Sequence, residues 1–263
     1  MGDSGEILEQ FRADPGRAAF LCDVDGTLAP IEDDPEAARV PDEARAALRA
    51  LAGRYRLVAC VSGRRASMAR AIVGIDEITY AGNHGLELLG PGEATPRLAP
   101  ALGHHGATAS GFASRLDWQQ LAGYGLRLED KGPIQAVHWR GASDPSLAER
   151  RARGLADLAS EQGLEPRFGR MVLELRPRVP IDKGSATRDL VADSGANRAL
   201  FGGDDRTDLD AFAALRELRR DGTLDLAVCV GVSSSEAPDE IARDADLVVS
   251  GTDGFLELMR ALE

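Results

Sequence analysis

Short apolar runs that end abruptly in polar clusters are the feature that most constrains the fold of this chain. Strand-like runs near residues 18–22, 57–61, 78–82, 198–202, 225–231 and 246–249 alternate with helical stretches near 42–53, 64–73, 184–194, 207–220 and 253–262. This alternation is typical of a parallel, doubly wound α/β sheet, whose ligands bind at the carboxyl ends of the strands. The sequence therefore predicts such a core, with its polar clusters gathered at one edge.

The first polar cluster brings two carboxylates to the end of the first strand. Phe20-Leu21-Cys22 leads directly into Asp23-Val24-Asp25-Gly26-Thr27. Since side chains alternate along a strand, Asp23 and Asp25 point the same way, and their repulsion at ~4 Å costs about 4 kcal/mol at an effective dielectric of about 20. A divalent cation removes this cost, and Mg²⁺ prefers such hard oxygen ligands. The cluster favours phosphoryl transfer through a carboxylate nucleophile, with a calcium loop or a solvated turn as the alternatives for this segment alone.

Three further clusters supply groups that the same chemistry requires. Ser62-Gly63-Arg64 follows the second strand and is either a phosphate cradle or an ordinary helix cap. Lys183 opens a helix, where a lone lysine is usually a surface residue. Gly203-Asp204-Asp205-Arg206-Thr207-Asp208 follows a third apolar strand, where acidic residues often cap a helix. Together with the first cluster they indicate one phosphotransfer site rather than four unrelated caps.

In chain order, the four clusters resemble the motifs of the haloacid dehalogenase superfamily, aspartate-nucleophile phosphohydrolases with a Rossmann-like core. The resemblance implies that Asp23 is the nucleophile and that Asp25 is the general acid and base. It also implies three groups that neutralise the phosphoryl oxygens, namely Thr27, Ser62 and Lys183. Mg²⁺ would be held by Asp23, the backbone carbonyl of Asp25 and Asp204, with its waters oriented by Asp205 or Asp208.

The order of predicted helices and strands is different in the middle of the chain. A helix near 103–121, strands near 125–130 and 134–140, a helix near 145–162 and strands near 164–168 and 171–176 predict a small α+β domain. The predicted organisation is thus a core formed by residues 1–102 and 180–263, with residues 103–179 inserted as a cap. A cap in this position would act as a lid that excludes water and recognises the substrate.

Several segments narrow the resemblance to the trehalose-6-phosphate phosphatases: Asn83-His84-Gly85, Glu129-Asp130-Lys131-Gly132, Gly169-Arg170-Met171-Val172-Leu173-Glu174-Leu175-Arg176-Pro177 and Asp182-Lys183-Gly184. His138-Trp139-Arg140 departs from the family, which more often has tyrosine at the middle position. The resemblance implies a Mg²⁺-dependent hydrolase that releases trehalose and phosphate. By the same resemblance, Glu129, Lys131 and Glu174 bind glucose hydroxyls, Arg170 positions the substrate, and Asn83 and His84 line the interface below, while Arg64 is also expected to contact the substrate.

Composition limits the partners. The chain of 263 residues carries 31 basic and 43 acidic side chains, a net charge of −12, which is unsuited to nucleic acid or an anionic membrane. No apolar stretch has the length of a membrane span, and the polar N-terminal segment does not resemble a leader. Cys22, Cys60 and Cys229 are isolated in apolar runs and are expected to be reduced core residues. We therefore expect a cytoplasmic protein with a sugar-phosphate substrate; a monomer is expected, although the sequence does not determine the oligomeric state.

Three other functions fit parts of the pattern. A phosphatase for another sugar phosphate, such as sucrose 6-phosphate or mannosyl-3-phosphoglycerate, would keep every core residue and change only the cap contacts. A phosphomutase would transfer the phosphoryl group between sugar positions and would need a bisphosphate activator. A non-catalytic sugar-phosphate sensor would have no use for the nucleophile Asp23, so its presence argues against that class.

Overall fold

The structure, a computed structural model, describes residues 4–32, 37–169 and 171–263. Its chain divides into two compact units, one formed by Met1–Arg97 with Ile181–Glu263 and the other by Leu98–Pro180. The second unit begins at Leu98, ahead of the predicted start at residue 103. The reason is local: the 3-10 segment Pro100–Ala107 packs on a helix and a strand of the second unit.

The strands are β1 (Ala18–Cys22), β2 (Leu57–Val61), β3 (Thr79–Gly82), β4 (Glu87–Leu89), β5 (Arg97–Leu98), β6 (Arg127–Asp130), β7 (Gln135–His138), β8 (Leu164–Gly169), β9 (Val172–Pro177), β10 (Arg198–Gly203), β11 (Leu226–Ser233) and β12 (Leu247–Ser250). The α-helices are α1 (Ser4–Arg12), α2 (Asp42–Ala52), α3 (Ala66–Val73), α4 (Thr108–Ala113), α5 (Trp118–Ala122), α6 (Pro145–Glu161), α7 (Lys183–Ser194), α8 (Asp208–Arg220), α9 (Asp239–Asp244) and α10 (Gly251–Leu262). Within the described part of the chain, α1, β4, β5 and α9 are elements that the sequence pattern does not predict.

The first unit is built on a sheet with β1 at its centre. The strand order is β12-β11-β10-β1-β2-β3-β4-β5, parallel from β12 to β3, with β4 antiparallel to β3. All five residues of β1 are buried, and its alternate side chains enter two separate cores, Phe20 on one face and Leu21 on the other. A strand covered on both faces has a continuous apolar sequence, which is the pattern from which the α/β core was predicted. The parallel sheet confirms that prediction.

The helices of this unit pack through narrow apolar stripes. A spacing of three and four residues places side chains on one face of a helix, opposite the charged face that meets water. In α2 the buried stripe consists of Ala44, Ala47, Leu48 and Leu51. Small alanines in the stripe let the helix lie close to β2 and α10, which it contacts.

The second unit is a four-stranded antiparallel sheet in the order β6-β7-β9-β8. Its inner face carries Val137, Leu173 and Leu175, which form a core with α4 and α6. On the opposite face Glu129 and Glu174 lie directly opposite the small Ala136 of the strand between them. The alternation of apolar and polar residues in these strands therefore produces one packed face and one polar face.

The predicted single helix over residues 103–121 is wrong. The chain instead forms the 3-10 segment Pro100–Ala107, then α4, then α5. Gly103 has a left-handed φ of 47° inside the first piece, and the side chain of Asp117 accepts a hydrogen bond from the backbone N–H of Gln120 and caps α5. A capping side chain inside an apolar stretch starts a new helix, which apolar periodicity alone does not reveal.

The three cysteines are buried and none is in a disulfide. Cys22 and Cys60 are not isolated from each other, however, because they are direct partners in the register of β1 and β2. Burial raises the pKa of the Cys22 thiol well above its ordinary value, and the neighbouring Cys60 adds to the effect. Because both thiols are buried, Cys22 and Cys60 pack as small apolar residues. Among the helices of the described residues, none is long and apolar enough to cross a membrane.

Candidate active site

The loop after β1 places one carboxylate in the interior. The backbone N–H of Asp23 donates to the carbonyl of Gly202 at 2.9 Å, which extends the pairing of β1 with β10 by one residue. The chain then folds back on itself, since the N–H of Gly26 donates to the carbonyl of Ala29 at 2.8 Å. Gly26 has a φ of +80°, and a Cβ at this position would overlap the carboxylate of Asp204. Glycine is therefore required for the two acidic loops to approach.

A buried lysine joins two of the carboxylates. Lys183 is 2% exposed, and its Nζ lies 2.9 Å from Asp23 Oδ2 and 2.7 Å from Asp208 Oδ1. Its position is set by the start of α7, where Asp182 and Ser185 form a reciprocal capping box. The next residue is glycine because a Cβ there would meet the backbone carbonyl of Asp210 in α8. The two helices therefore pack closely enough to bury the ammonium group.

Asp208 organises the loop after β10. One of its oxygens, Oδ2, accepts the backbone N–H groups of Asp204 at 3.0 Å and Asp205 at 2.9 Å, while Oδ1 accepts Lys183. Both oxygens are thus engaged by donors of the protein. Asp204 itself accepts the hydroxyl of Thr27 at 3.0 Å through Oδ1. The arrangement turns the Asp204 carboxylate toward Asp23 and leaves Asp205 at the exposed edge of the loop.

Asp23, Asp204 and Asp208 form what we call the acid cluster, in which one oxygen of each lies within 4.8 Å of the others. The cluster carries an excess of negative charge, since Lys183 neutralises one of three buried carboxylates. The pKa of Asp204 is raised from 3.8 to about 7, mainly by burial and secondly by the negative charge of Asp208. Burial also raises the pKa of Asp23 and of Asp208, although Lys183 opposes both shifts. Burial alone would lower the pKa of Lys183, but Asp208 and Asp23 raise it, so the ammonium stays charged. Such a cluster could bind a metal cation.

Asp25 is not part of the acid cluster and pairs with an arginine. Its Oδ2 accepts Arg64 Nε and its Oδ1 accepts Arg64 Nη2, each at 2.6 Å. Arg64 belongs to the loop after β2, in which the buried Ser62 Oγ accepts the Arg64 backbone N–H at 3.1 Å. The side chain of Ser62 thus stabilises the loop in which it lies.

Asn83 and His84 hold the same loop from the other side. The N–H of Asn83 donates to the carbonyl of Arg64 at 2.7 Å, and the N–H of His84 donates to the carbonyl of Ser62 at 2.9 Å. Both residues have a left-handed φ, 50° for Asn83 and 58° for His84. The His84 ring packs on Gly63, where a Cβ would come within 2.9 Å of the ring. This strained turn is over-determined by its contacts, which is typical of functional sites.

Glu87 is a site-supporting residue that the sequence pattern misses. Its carboxylate is buried, accepts the N–H of Ala66 at 3.0 Å and lies 3.7 Å from Arg65. It therefore caps the N-terminus of α3 from another strand and stabilises the loop before it. The available signal is a single carboxylate within the apolar run Leu86-Glu87-Leu88-Leu89.

One lysine–carboxylate ion pair and one histidine–carboxylate hydrogen bond lie in the second unit. Lys131 Nζ lies 3.0 Å from Glu174 Oε1, and His138 Nε2 lies 2.7 Å from Glu129 Oε2. They project from the polar side of the sheet, and each side chain is only partly buried. Arg170, predicted to position the substrate, lies outside the described residues. The partly exposed carboxylates and the ammonium are groups that can exchange hydrogen bonds with a polyhydroxylated ligand.

Comparison with known proteins decides the family of the chain. A sequence model described as trehalose-phosphatase matches residues 21–245. The chain belongs to the trehalose-phosphatase family. The match runs from the last residues of β1 to the end of α9, so it includes the acid cluster and the whole second unit.

Relatives within the trehalose-phosphatase family are of moderate identity. A probable trehalose-phosphate phosphatase of Oryza sativa subsp. japonica is 33% identical over 230 residues, which cover 76% of this chain and 60% of that protein. A trehalose 6-phosphate phosphatase of Zea mays is 31% identical over 246 residues, 87% of this chain and 65% of that protein. The chain thus spans about three fifths of the length of these relatives.

The fold of this trehalose-phosphatase family member has a solved counterpart. The C-terminal domain of a trehalose-6-phosphate phosphatase from C. albicans superposes with a TM-score of 0.72 at 23% identity, covering 99% of this chain and 96% of that domain. The similarity establishes the same fold for both. It is consistent with the α/β class deduced from the alternation of strands and helices.

Proposed function

We propose that this chain hydrolyses trehalose 6-phosphate to trehalose and inorganic phosphate through an aspartyl-phosphate intermediate. The observation that carries the proposal is the contact of the buried Lys183 with Asp23 at the end of β1, inside a family of trehalose-phosphatases. A carboxylate at 5% exposure, beside a permanent ammonium, is poised to attack phosphorus while its surroundings stabilise the incoming negative charge.

The reaction proceeds in two displacements. An oxygen of Asp23 attacks phosphorus, the bond from phosphorus to the sugar oxygen breaks, and Asp25 gives its proton to the departing oxygen. Water then attacks the phosphorus of the acyl phosphate, Asp25 takes the proton from water, and phosphate leaves Asp23. General acid and base assistance of this kind contributes roughly 10²- to 10⁴-fold. Thr27, Ser62 and Lys183 are the donors that we assign to the phosphoryl oxygens, and the Thr27 hydroxyl would exchange its hydrogen bond with Asp204 for one with the substrate.

The acid cluster fits a magnesium ion by the chemistry of its donors. Oxygens of Asp23 and Asp204, with the backbone carbonyl of Asp25, are the proposed ligands, whereas Asp205 and Asp208 would orient waters. The outer role suits Asp208 because its two oxygens already accept Lys183 and two backbone N–H groups. When bound, the ion would neutralise the excess carboxylate charge and polarise the phosphoryl group.

We assign sugar recognition to Glu129, Lys131 and Glu174 on the polar face of the second unit, with Arg170, Asn83 and His84 in supporting roles. Carboxylates and an ammonium group can exchange hydrogen bonds with several hydroxyls at once. The cap function of residues 103–179, the cytoplasmic location and the monomeric state stay predictions.

Phosphate release from a panel of esters tests the proposed function. Trehalose 6-phosphate, sucrose 6-phosphate, glucose 6-phosphate and mannosyl-3-phosphoglycerate are compared with and without Mg²⁺, and Asp23→Asn serves as the blank. We expect a Mg²⁺-dependent preference for trehalose 6-phosphate. Glu174→Gln should then lower kcat/KM for that ester by roughly 10- to 100-fold, the worth of a charged hydrogen bond. The matched control is Glu165→Gln, on the edge strand β8 of the same sheet. Preference for another ester would refute the substrate assignment.

The acid cluster also predicts a pH-dependent stability without metal. Because the pKa of Asp204 is raised from 3.8 to about 7, the folded chain keeps a proton that the unfolded chain releases. The free energy of unfolding should therefore fall as pH rises across this interval, and Mg²⁺ should restore it above pH 7. Thermal unfolding in chelator and in millimolar Mg²⁺ measures both effects. Asp204→Asn should flatten the pH dependence and reduce the Mg²⁺ response; an unchanged response would remove Asp204 from the metal site.

A further inference from the structure

The carboxylate of Asp25 is held by a two-point contact with one side chain. Arg64 donates from Nε to Oδ2 and from Nη2 to Oδ1, at 2.6 Å in both cases. The Arg64 side chain is 14% exposed and that of Asp25 34% exposed. Two parallel hydrogen bonds in a planar fork fix both the position and the plane of a carboxylate, which a single contact does not.

Arg64 is itself anchored at several points. Its backbone N–H donates to Ser62 Oγ and its carbonyl accepts the N–H of Asn83. Its Nη1 lies 3.8 Å from Met68 Sδ, one turn further along, in α3. The guanidinium therefore projects from a fixed loop in a fixed direction. Since that loop follows β2, it ties Asp25 after β1 to the neighbouring strand of the sheet.

A general acid and base acts only from a defined position. The proton must pass over a hydrogen-bond distance, and displacement by about 1 Å can cost 10²-fold in rate. Asp25 immediately precedes the tight turn at Gly26, and its side chain is 34% exposed, against 7% for the proposed nucleophile Asp23. Without the fork, the carboxylate of Asp25 could rotate among several positions in the solvent.

We infer that Arg64 is a positioning residue that holds the carboxylate of Asp25 for proton transfer to and from the sugar oxygen. This role differs from the substrate contact that the sequence predicts for Arg64. It rests on the proposed function, because it assumes that Asp25 protonates a leaving group. It predicts that replacing Arg64 lowers kcat more for an ester whose leaving group must be protonated than for one whose leaving group departs without a proton.

Comparison of two substrates with different leaving groups distinguishes a positioning role of Arg64 from a substrate-binding role. A sugar alkoxide is a poor leaving group and needs a proton, whereas p-nitrophenolate leaves unaided. Arg64→Ala should lower kcat for trehalose 6-phosphate by about 10- to 100-fold while KM changes by less than about threefold. For p-nitrophenyl phosphate, kcat should fall by less than about threefold. Arg64→Lys, which keeps the charge but loses the fork, should give an intermediate kcat.

The adjacent arginine provides the matched control. Arg65 is 41% exposed and lies beside Glu87 rather than Asp25, so Arg65→Ala should leave the ratio of the two kcat values unchanged. Equal losses of kcat on both esters in Arg64→Ala would indicate general disruption of the loop. A rise in KM at constant kcat would indicate a substrate contact. Either result overturns the inference.

A binding measurement gives a readout without turnover. In an Asp23→Asn background, calorimetry compares the Kd of trehalose 6-phosphate before and after the additional change Arg64→Ala. An unchanged Kd supports positioning, and a tenfold weaker Kd contradicts it. If the wild-type chain prefers another sugar phosphate, that ester is used in these experiments in place of trehalose 6-phosphate. The substrate assignment then fails, but the role of Arg64 can still be tested. If the wild-type chain hydrolyses no ester, both proposals fail.

Discussion

Asp23→Asn is expected to abolish phosphate release while the chain remains folded. Asn matches the shape of Asp but has no anionic oxygen with which to attack phosphorus, and loss of a covalent nucleophile typically costs on the order of 10⁴- to 10⁶-fold. The fold should tolerate the change because Lys183 keeps its 2.7 Å contact with Asp208. Removing one of three buried negative charges also relieves the repulsion within the acid cluster that helps to raise the pKa of its carboxylates.

Kinetics, circular dichroism and thermal unfolding together measure this outcome. The matched control is Asp193→Asn, on the exposed face of α7, the helix that supplies Lys183. That variant should retain the kcat of the unaltered chain. Acid quenching after brief mixing with labelled substrate should recover phosphorylated protein from the control and not from Asp23→Asn. Phosphate release by pure, folded Asp23→Asn at more than a few per cent of the control rate would show that another group is the nucleophile.

Lys183→Met is expected to have the largest effect on stability. The substitution keeps the volume of the side chain but leaves Asp23 and Asp208 buried without their shared cation. Breaking a buried ion pair by removing one partner typically costs about 3–5 kcal/mol, because the remaining charge stays desolvated. The remaining carboxylates can escape this cost only by binding protons. The loss of stability relative to the unaltered chain should therefore grow as pH rises.

Thermal and urea unfolding of Lys183→Met over a range of pH measure the prediction. Lys131→Met is the control, since its pair with Glu174 is partly exposed and should contribute about 1 kcal/mol or less. Adding Asp23→Asn to Lys183→Met should recover part of the loss, because the two residues are in contact and their effects are not additive. A Lys183→Met chain as stable as the control at every pH would contradict the buried triad of charges. We also expect phosphate release to be lost in Lys183→Met, since no ammonium then meets the phosphoryl group.

The core of the site was predictable because its residues sit at the ends of apolar strands. In a parallel sheet buried on both faces, the carboxyl ends of neighbouring strands meet at one edge, and Asp23, Ser62 and Asp204 each follow one of the adjacent strands β1, β2 and β10. Reasoning from the order of helices and strands likewise predicted a small α+β second unit. It failed over residues 103–121, where Gly103 and the Asp117 cap divide the predicted helix.

Contacts between residues distant in sequence were not predictable. No local pattern indicates that Arg64 holds Asp25, that Glu87 caps α3, or that Cys22 and Cys60 are register partners. Each pairing depends on which strand lies beside which, and on the register between them. Asp208 is a related case, because its position in an acidic run suggests a ligand or a helix cap, while its two oxygens in fact bind Lys183 and the loop backbone.

The sequence by itself determined the chemical types at the site: two carboxylates after β1, a hydroxyl after β2, a lysine opening α7 and an acidic run after β10. It did so because buried strands need apolar residues, so any polar cluster at their ends stands out. Tertiary structure alone decided the pairing of these groups and hence their charge balance. Burial and the nearby charge of Asp208 raise the pKa of Asp204 to about 7, and Lys183 lies between Asp23 and Asp208. Both the degree of burial and these distances depend on packing across the whole first unit.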